Sequence, residues 1–303
     1  MNALNRLIVS TLPAVPKSIV RKFASRYIAG EEISDAVKVV KSLNAHGIMA
    51  TLDVLGEDIR RKEEAIAARD KILEVFRAIE QESLDSNVSI KLSQLGLKLD
   101  KDFCLENVRQ IVATARAMKN FVRIDMEDSS VTDDTIWVYR EVRKQFDNAG
   151  IALQAYLRRT GHDAERLIES KLINFRLCKG IYIEPEVIAF KKHDEINRNY
   201  SQVLRKMIEL KAYVGIATHD DELVADAYKI IGETHLQKSA YEFQMLLGVR
   251  PDLREKIIRD GHRLRIYVPF GKQWYQYSIR RFKENPQVAG YVVKALFNKY
   301  RFN

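Results

Sequence analysis

Cysteine is nearly absent from this 303-residue chain: Cys104 and Cys178 stand far apart and form no C-x-x-C. A disulfide framework and a cysteine-rich zinc site are therefore excluded, and the usage fits a reducing compartment. No apolar run approaches the roughly 18 residues that a membrane-spanning helix needs, so the chain reads as a soluble protein. Glycine and proline are sparse, at 13 and 6 residues, and no linker or low-complexity tract divides the chain. Several chemical signatures are missing too. There is no G-x-G-x-x-G, no phosphate loop, no G-x-S-x-G elbow and no H-E-x-x-H helix. No metal site is expected. The six histidines are scattered, and only His219 falls at the end of a predicted strand, where a lone histidine more often has a structural role.

What is present is a core-forming, basic composition. Hydrophobic residues make up 46% and charged residues 30%, which rules out a disordered chain. Lys and Arg number 50 against 41 Asp and Glu, a net charge of +9. The charges are interspersed rather than blocked, so a solvated basic surface explains them better than a nucleic-acid footprint. The first 30 residues carry no acid but do carry Arg6, Lys17, Arg21, Lys22 and Arg26. Such a start resembles an organellar transit segment. The simpler reading is an amphipathic helix over 16–28, with Ile19, Val20, Phe23, Ala24, Tyr27 and Ile28 at helical spacing.

A second helix is predicted from Ser34 as N-cap to Gly47. These segments form an N-terminal helical stretch, 1–47, ahead of one domain at 48–303. From there β-rich runs recur near 49–54, 88–92, 121–126, 151–157, 173–178, 212–217, 240–246 and 264–268, most of them separated by helix-length amphipathic segments such as 58–80 and 105–118. Strands alternating with helices imply right-handed parallel crossovers. Eight of them predict an α/β fold of the (β/α)8 type, a TIM-like barrel.

The strands carry an anomaly. Parallel strands buried on both faces should be almost wholly apolar, yet charge or amide interrupts Ser89-Ile90-Lys91-Leu92, Arg123-Ile124-Asp125-Met126, Leu153-Gln154-Ala155-Tyr156 and Phe175-Arg176-Leu177-Cys178-Lys179. Alternation sends Lys91, Asp125, Gln154 and Arg176 to the face opposite their apolar neighbours, into the barrel. Burying them unpaired would be costly. A buried ion-pair layer would satisfy them, but four on different strands favour a site, because barrel active sites are assembled from strand ends. After the eighth strand, Tyr277, Arg280, Arg281 and Glu284 fall at i, i+3, i+4 and i+7 on one side of a C-terminal helix. The adjacent arginines there suit a carboxylate clamp.

Taken in order, the strand-end segments resemble the proline dehydrogenase family, flavoenzymes built on a (β/α)8 barrel. The likeness runs from Tyr27-Ile28-Ala29-Gly30-Glu31 to Glu284-Asn285. It rests most on Leu153-Gln154-Ala155-Tyr156-Leu157, Arg176-Leu177-Cys178-Lys179-Gly180-Ile181-Tyr182, Ala217-Thr218-His219, Tyr241-Glu242-Phe243-Gln244-Met245-Leu246, and Tyr277-x-x-Arg280-Arg281. The resemblance implies FAD as cofactor and oxidation of L-proline to Δ1-pyrroline-5-carboxylate, the first step of proline catabolism. By the same resemblance, Asp125 and Arg176 are the catalytic pair, Asp125 at the substrate end and Arg176 near the reactive flavin nitrogen. Arg280, Arg281 and Lys91 would grip the carboxylate, with Glu284 pairing one of these cations. Tyr267 and Tyr277 would wall the ring, and Tyr182 would lie between substrate and flavin. Met126, Gln154, Arg176, Lys179, Gly180, Ile181, Thr218, His219 and Gln244 would hold FAD. Three positions depart from the family's pattern: Cys178 for a branched aliphatic, Ile181 for a small residue and Asp220 for Asn. Ile181 bears on how closely that strand approaches the cofactor.

The same resemblance implies a membrane quinone as electron acceptor and a separate pyrroline-5-carboxylate dehydrogenase downstream. It places the protein in the cytoplasm with peripheral contact to the inner membrane face, or in the mitochondrion of a eukaryote. The basic N-terminal segment is the candidate membrane contact. A different reaction class and a near relative compete. Lys91 or Lys179 could serve as the Schiff-base nucleophile of a barrel lyase or aldolase, and a hydroxyproline dehydrogenase would keep the flavin site and change the ring pocket. The bulk of Tyr267 favours proline. A nucleic-acid binder is the third rival; the aromatics are not interleaved with a basic run, so no nucleic-acid partner is expected.

Overall fold

A computed structural model describes residues 20–21, 24–56 and 59–284, with the backbone course alone for 280–284. Eight parallel strands close in sequence order into one barrel. They are β1 (Met49–Val54), β2 (Ser86–Ile90), β3 (Val122–Ile124), β4 (Ala149–Gln154), β5 (Asn174–Cys178), β6 (Tyr213–Ala217), β7 (Tyr241–Leu246) and β8 (Leu264–Phe270). Around them run helices α1 (Ile33–Asn44), α2 (Lys62–Gln81), α3 (Lys101–Ala117), α4 (Thr132–Arg143), α5 (Thr160–Glu169), α6 (His193–Glu209), α7 (Asp221–Glu233), α8 (Pro251–Arg259) and α9 (Trp274–Glu284). Among the described residues, no helix is long and apolar enough to cross a membrane.

All eight predicted strands are present, and their boundaries explain the site. The fourth ends at Gln154, before the predicted 157, because the backbone turns there: Leu157 N–H donates to the Gln154 carbonyl, and Leu157 bridges to Ala189 instead. The N-cap of α1 is Glu32, not Ser34. Asp35 accepts from the N–H groups of Glu31 and Glu32, satisfying the orphan donors of the first turn and drawing the start two residues upstream.

Alternation sorts the strands into two faces. Leu52, Val88, Ile90, Ile124, Ile151, Leu153, Phe175, Leu177, Val214, Ile216, Phe243, Ile266 and Val268 join the helices in one continuous apolar core. The opposite face, inside the barrel, carries Asp53, Ser89, Arg123, Gln154, Arg176, Glu242, Gln244, Arg265 and Tyr267. A typical barrel fills that space with branched aliphatics; here charge and amide fill it.

The shell closes in an unusual way. Helix α1, which precedes the barrel, packs on β1 and β8 and shares the barrel's core through Ala36, Val40 and Leu43. The helix that follows the last strand, α9, lies instead at the barrel mouth. Trp274 Nε1 donates to Glu31 at 3.1 Å, and Tyr277 lines the central cleft. Within the predicted helix over 16–28, residues 20, 21 and 24 are helical and 25–27 form a turn, while 16–19 and 22–23 lie outside the described residues.

Candidate active site

The strand ends open into a cleft of about 750 Å³, within the size range of small-molecule and cofactor sites. Lys91, Asp125, Met126, Gln154, Arg176, Lys179, Gly180, Ile181, Tyr182, Thr218, His219, Gln244, Tyr267 and Tyr277 line it, joined by Cys178 and Asp220. Every sequence-predicted site residue with a described side chain is therefore in one cavity. The side chains of Arg280, Arg281 and Glu284 lie outside the described residues; the helix that carries them, α9, is at the mouth.

Asp125 stands at the centre. Its Oδ1 accepts from Arg176 Nη1 at 2.5 Å and from Ser89 Oγ at 3.1 Å, and its Oδ2 accepts from the Tyr267 hydroxyl at 2.8 Å. Both carboxylate oxygens are thus engaged, which makes Asp125 a clamp between two cavity-wall side chains. Arg176 also donates Nη2 to Ser89 Oγ at 3.1 Å and Nε to Gln244 Oε1 at 2.5 Å. The Tyr267 ring centroid lies 5.2 Å from the Arg176 guanidinium carbon and 5.9 Å from Lys91 Nζ, so one aromatic ring borders both cations.

Lys91 has a carboxylate partner of its own. Its Nζ donates to Asp53 Oδ1 at 2.8 Å and to the Tyr267 hydroxyl at 3.3 Å, and it stands 3.9 Å from Asp125. Burial disfavours the charged amine, but the carboxylates of Asp53 and Asp125 outweigh it and hold the Lys91 pKa above its ordinary value. The Asp53 carboxyl is pushed up by its own burial, an effect that Lys91 only partly offsets. Sequence reasoning passed over Asp53. It sits in Met-Ala-Thr-Leu-Asp-Val, on the same inward face that exposed the other charges, and that alternation is the signal that could have found it.

The opposite end of the cleft is built from β4 to β7. Gln154 Nε2 donates to the Met126 carbonyl at 3.2 Å, while its buried Oε1 has no partner among the described residues. Gly180 has a φ of +102°, and a Cβ there would come within 2.1 Å of the Tyr156 ring, so only glycine lets the loop after β5 cross this aromatic. Lys179 Nζ donates to Asp220 Oδ2 at 2.5 Å. Asp220 also caps α7 by accepting from Glu222 N–H at 3.0 Å. Burial raises the Asp220 carboxyl, but hydrogen bonds from Lys179 and Asn197 reverse that and hold it at about 2. His219 Nε2 accepts from Leu246 N–H at 2.8 Å, which ties the end of β6 to β7 and fixes the ring at the cleft wall. Ile181 is half exposed at the rim, and Ile183 beyond it is fully exposed.

Two further ties were not foreseen. Glu127 accepts from Ser93 N–H and Oγ, and Glu184 accepts from Ser129 N–H and Oγ. They staple neighbouring loops around the mouth. Each is a loop-to-loop contact that no local spacing announces.

A family model described as Proline dehydrogenase matches residues 36–294. Proline dehydrogenase 1 of Bacillus subtilis strain 168 is 35% identical over 276 residues, 91% of this chain and 91% of that protein. The proline dehydrogenase of Deinococcus radiodurans is 34% identical over 278 residues, 90% of this chain and 89% of its own. Among solved structures, proline utilization A of Bdellovibrio bacteriovorus, inactivated by N-propargylglycine, superposes with a TM-score of 0.82 at 25% identity. That match covers 88% of this chain and 33% of the solved one, so the chain spans about a third of that longer protein. With a family match over most of its length and full-length relatives at this identity, the chain belongs to the proline dehydrogenase family.

Proposed function

We propose that the chain oxidises L-proline to Δ1-pyrroline-5-carboxylate with FAD as cofactor, and that a membrane quinone removes the electrons. The observation that carries this reading is the Arg176–Asp125–Tyr267–Lys91 network, a fixed cationic and aromatic wall across one cleft. The donor set fits a flavin. Gln154 offers a buried, unpartnered acceptor to a ring N–H, and Arg176 offers a guanidinium to a ring that becomes anionic on reduction. Gln154, Arg176, Lys179, Gly180, Ile181, Thr218, His219, Gln244 and the Met126 backbone would hold it.

When bound, the flavin accepts a hydride equivalent. The protein supplies position and charge. Lys91, with Arg280 and Arg281, would orient the substrate carboxylate. Tyr267, Tyr277 and Tyr182 would pack the ring and exclude water. The C5–H bond breaks as the nitrogen lone pair forms the C=N bond, which requires a neutral amine, so rates rise toward alkaline pH. Arg176, locked on three of its nitrogens, presents its positive charge without reorganising.

The lysine geometry argues against the Schiff-base lyase. Lys91 and Lys179 are each paired with an aspartate at 2.8 and 2.5 Å, and a lysine nitrogen already engaged by a carboxylate is poorly placed to attack a carbonyl. In this reading residues 1–47 precede the catalytic barrel, and the basic segment 1–28 contacts an anionic membrane face from the cytoplasmic side. A separate dehydrogenase consumes the product. The test is turnover with L-proline and a soluble quinone, with the cyclic imine trapped by o-aminobenzaldehyde. Imine formed in step with quinone reduction supports the reading. Turnover of 4-hydroxyproline in preference to proline would assign the ring pocket otherwise, and absence of imine would reject the reaction.

A further inference from the structure

The flavin-end arginine is held by Gln244, and Gln244 is in turn held by residues that do not line the cleft. On β7, Glu242 and Gln244 are two apart and share the inward face. Glu242 is 2% exposed and lies below the cavity floor. Its Oε1 accepts from Arg265 Nε at 2.6 Å and from Gln244 Nε2 at 2.7 Å, and its Oε2 accepts from Arg265 Nη2 at 3.2 Å. Gln244 Oε1 in turn accepts from Arg176 Nε at 2.5 Å.

An amide has a donor end and an acceptor end, and the wrong orientation would set oxygen against carboxylate and N–H against guanidinium. Burial raises the Glu242 carboxyl, but Arg265's charge and hydrogen bonds from Arg265, Gln244 and Tyr213 reverse that and keep it below its ordinary value. Glu242 therefore only accepts, which turns Gln244 Nε2 toward it and leaves Oε1 for Arg176. The second half of the cradle is Gly215 on β6. A Cβ built there would stand 2.4 Å from Gln244 Nε2 and 2.8 Å from its Cδ, so the amide lies against bare backbone.

We propose that Glu242 and Gly215 are positioning residues: together they fix the Gln244 amide, which sets the plane of the Arg176 guanidinium toward the flavin. The proposal rests on the flavin reading above. It adds that a buried carboxylate and a glycine, neither of which lines the cleft, control how that arginine is presented.

Three variants separate this from a merely structural ion pair. In Glu242→Gln the acceptor-only carboxylate that orients the Gln244 amide becomes an amide able to present either end, and Glu242→Asp restores an acceptor-only group in part. In Gly215→Ala the Arg265–Glu242 pair is untouched, and the collision is with the free end of a flexible side chain, so the barrel survives while the amide is displaced. Each purified protein is stripped of cofactor and titrated with FAD by flavin fluorescence, and the visible spectrum and thermal midpoint of each loaded form are recorded. Expected are at least a fivefold rise in FAD dissociation constant and a displaced visible band for E242Q and for G215A, with E242D between E242Q and the wild type. Wild-type FAD affinity and spectrum in G215A, whatever happens to stability in E242Q, would overturn the proposal. If G215A does not fold, E242Q with a lowered midpoint but an unshifted band and affinity overturns it equally. Wild-type protein that takes up no FAD would instead reject the flavin reading itself, and the proposal with it.

Discussion

Replacing Asp53 by Asn deletes one charge from a buried pair and changes almost no volume. Asp53 is 1% exposed and its carboxylate stands 2.8 Å from Lys91 Nζ. At an effective dielectric of about 20, that separation corresponds to a gross attraction of ~6 kcal/mol. Breaking a buried pair typically costs about 3–5 kcal/mol of stability, because the remaining ion stays desolvated. Two effects reduce the loss here. The amide oxygen can still accept from Nζ, which returns about 1 kcal/mol, and Asp125 remains 3.9 Å from the ammonium. The expected net loss is about 2–3 kcal/mol, a fall of roughly 5 °C in melting midpoint for a domain of this size.

The pH dependence identifies the cause. Lys91 has a folded pKa above its ordinary 10.5, so its stabilisation is fully present below that value and is lost only as the pH rises through the folded pKa. Asp53 is also raised, so the wild-type carboxyl binds its proton more tightly in the folded than in the unfolded chain and adds stability as the pH falls through its folded pKa. The stability gap between wild type and Asp53→Asn should therefore be widest in acid and should narrow as the pH rises through the folded Asp53 pKa toward neutrality. Thermal melts of both proteins from pH 4 to 9 measure it directly. A gap that stayed constant down to pH 4 would indicate a packing defect. No gap at pH 8 would show that the pair contributes nothing, and the electrostatic account of Lys91 would be wrong.

Three other outcomes follow from the same geometry. Arg176→Lys keeps the charge but loses the fork that reaches Asp125, Ser89 and Gln244 at once; kcat/KM for proline should fall about 100-fold, a loss of ~3 kcal/mol of transition-state stabilisation, whereas wild-type kinetics would show that planarity does not matter. Cys104 is buried, and burial raises its thiol pKa, while Cys178 lines the cleft; a thiol reagent on the native protein should label Cys178 alone, and FAD should protect it. Labelling indifferent to FAD would place the cofactor elsewhere. Asp220→Asn removes the partner of Lys179 and should destabilise the protein by about 1 kcal/mol at neutral pH. Because the Asp220 pKa is held at about 2, that contribution is present above the ordinary carboxyl value and is lost as the pH falls through about 2, so the melting midpoints of variant and wild type should converge there.

Much of this was legible in one dimension, and what escaped did so for identifiable reasons. The barrel followed from strand periodicity, and the inward direction of Lys91, Asp125, Gln154 and Arg176 from alternation alone. Their partners were harder to read. Asp125 follows β3 and Arg176 is on β5, Arg176 and Gln244 are on β5 and β7, and Lys91 follows β2 while Tyr267 is on β8, pairs that meet only because the barrel closes. A spacing rule reports neighbours along the chain, not across a cylinder. Asp53 and Glu242 were passed over because each looks like a single charge in an apolar strand until its cross-barrel partner is known. The placement of α1 against β1 and β8 also escaped, since an amphipathic helix announces its buried face but not the surface that receives it.

The most direct test of the central claim is an anaerobic visible spectrum of the purified protein before and after addition of L-proline. The account predicts a flavin band that bleaches with L-proline and persists with glycine. A protein that stays colourless after incubation with FAD, or a flavin band that proline leaves unchanged, would contradict it.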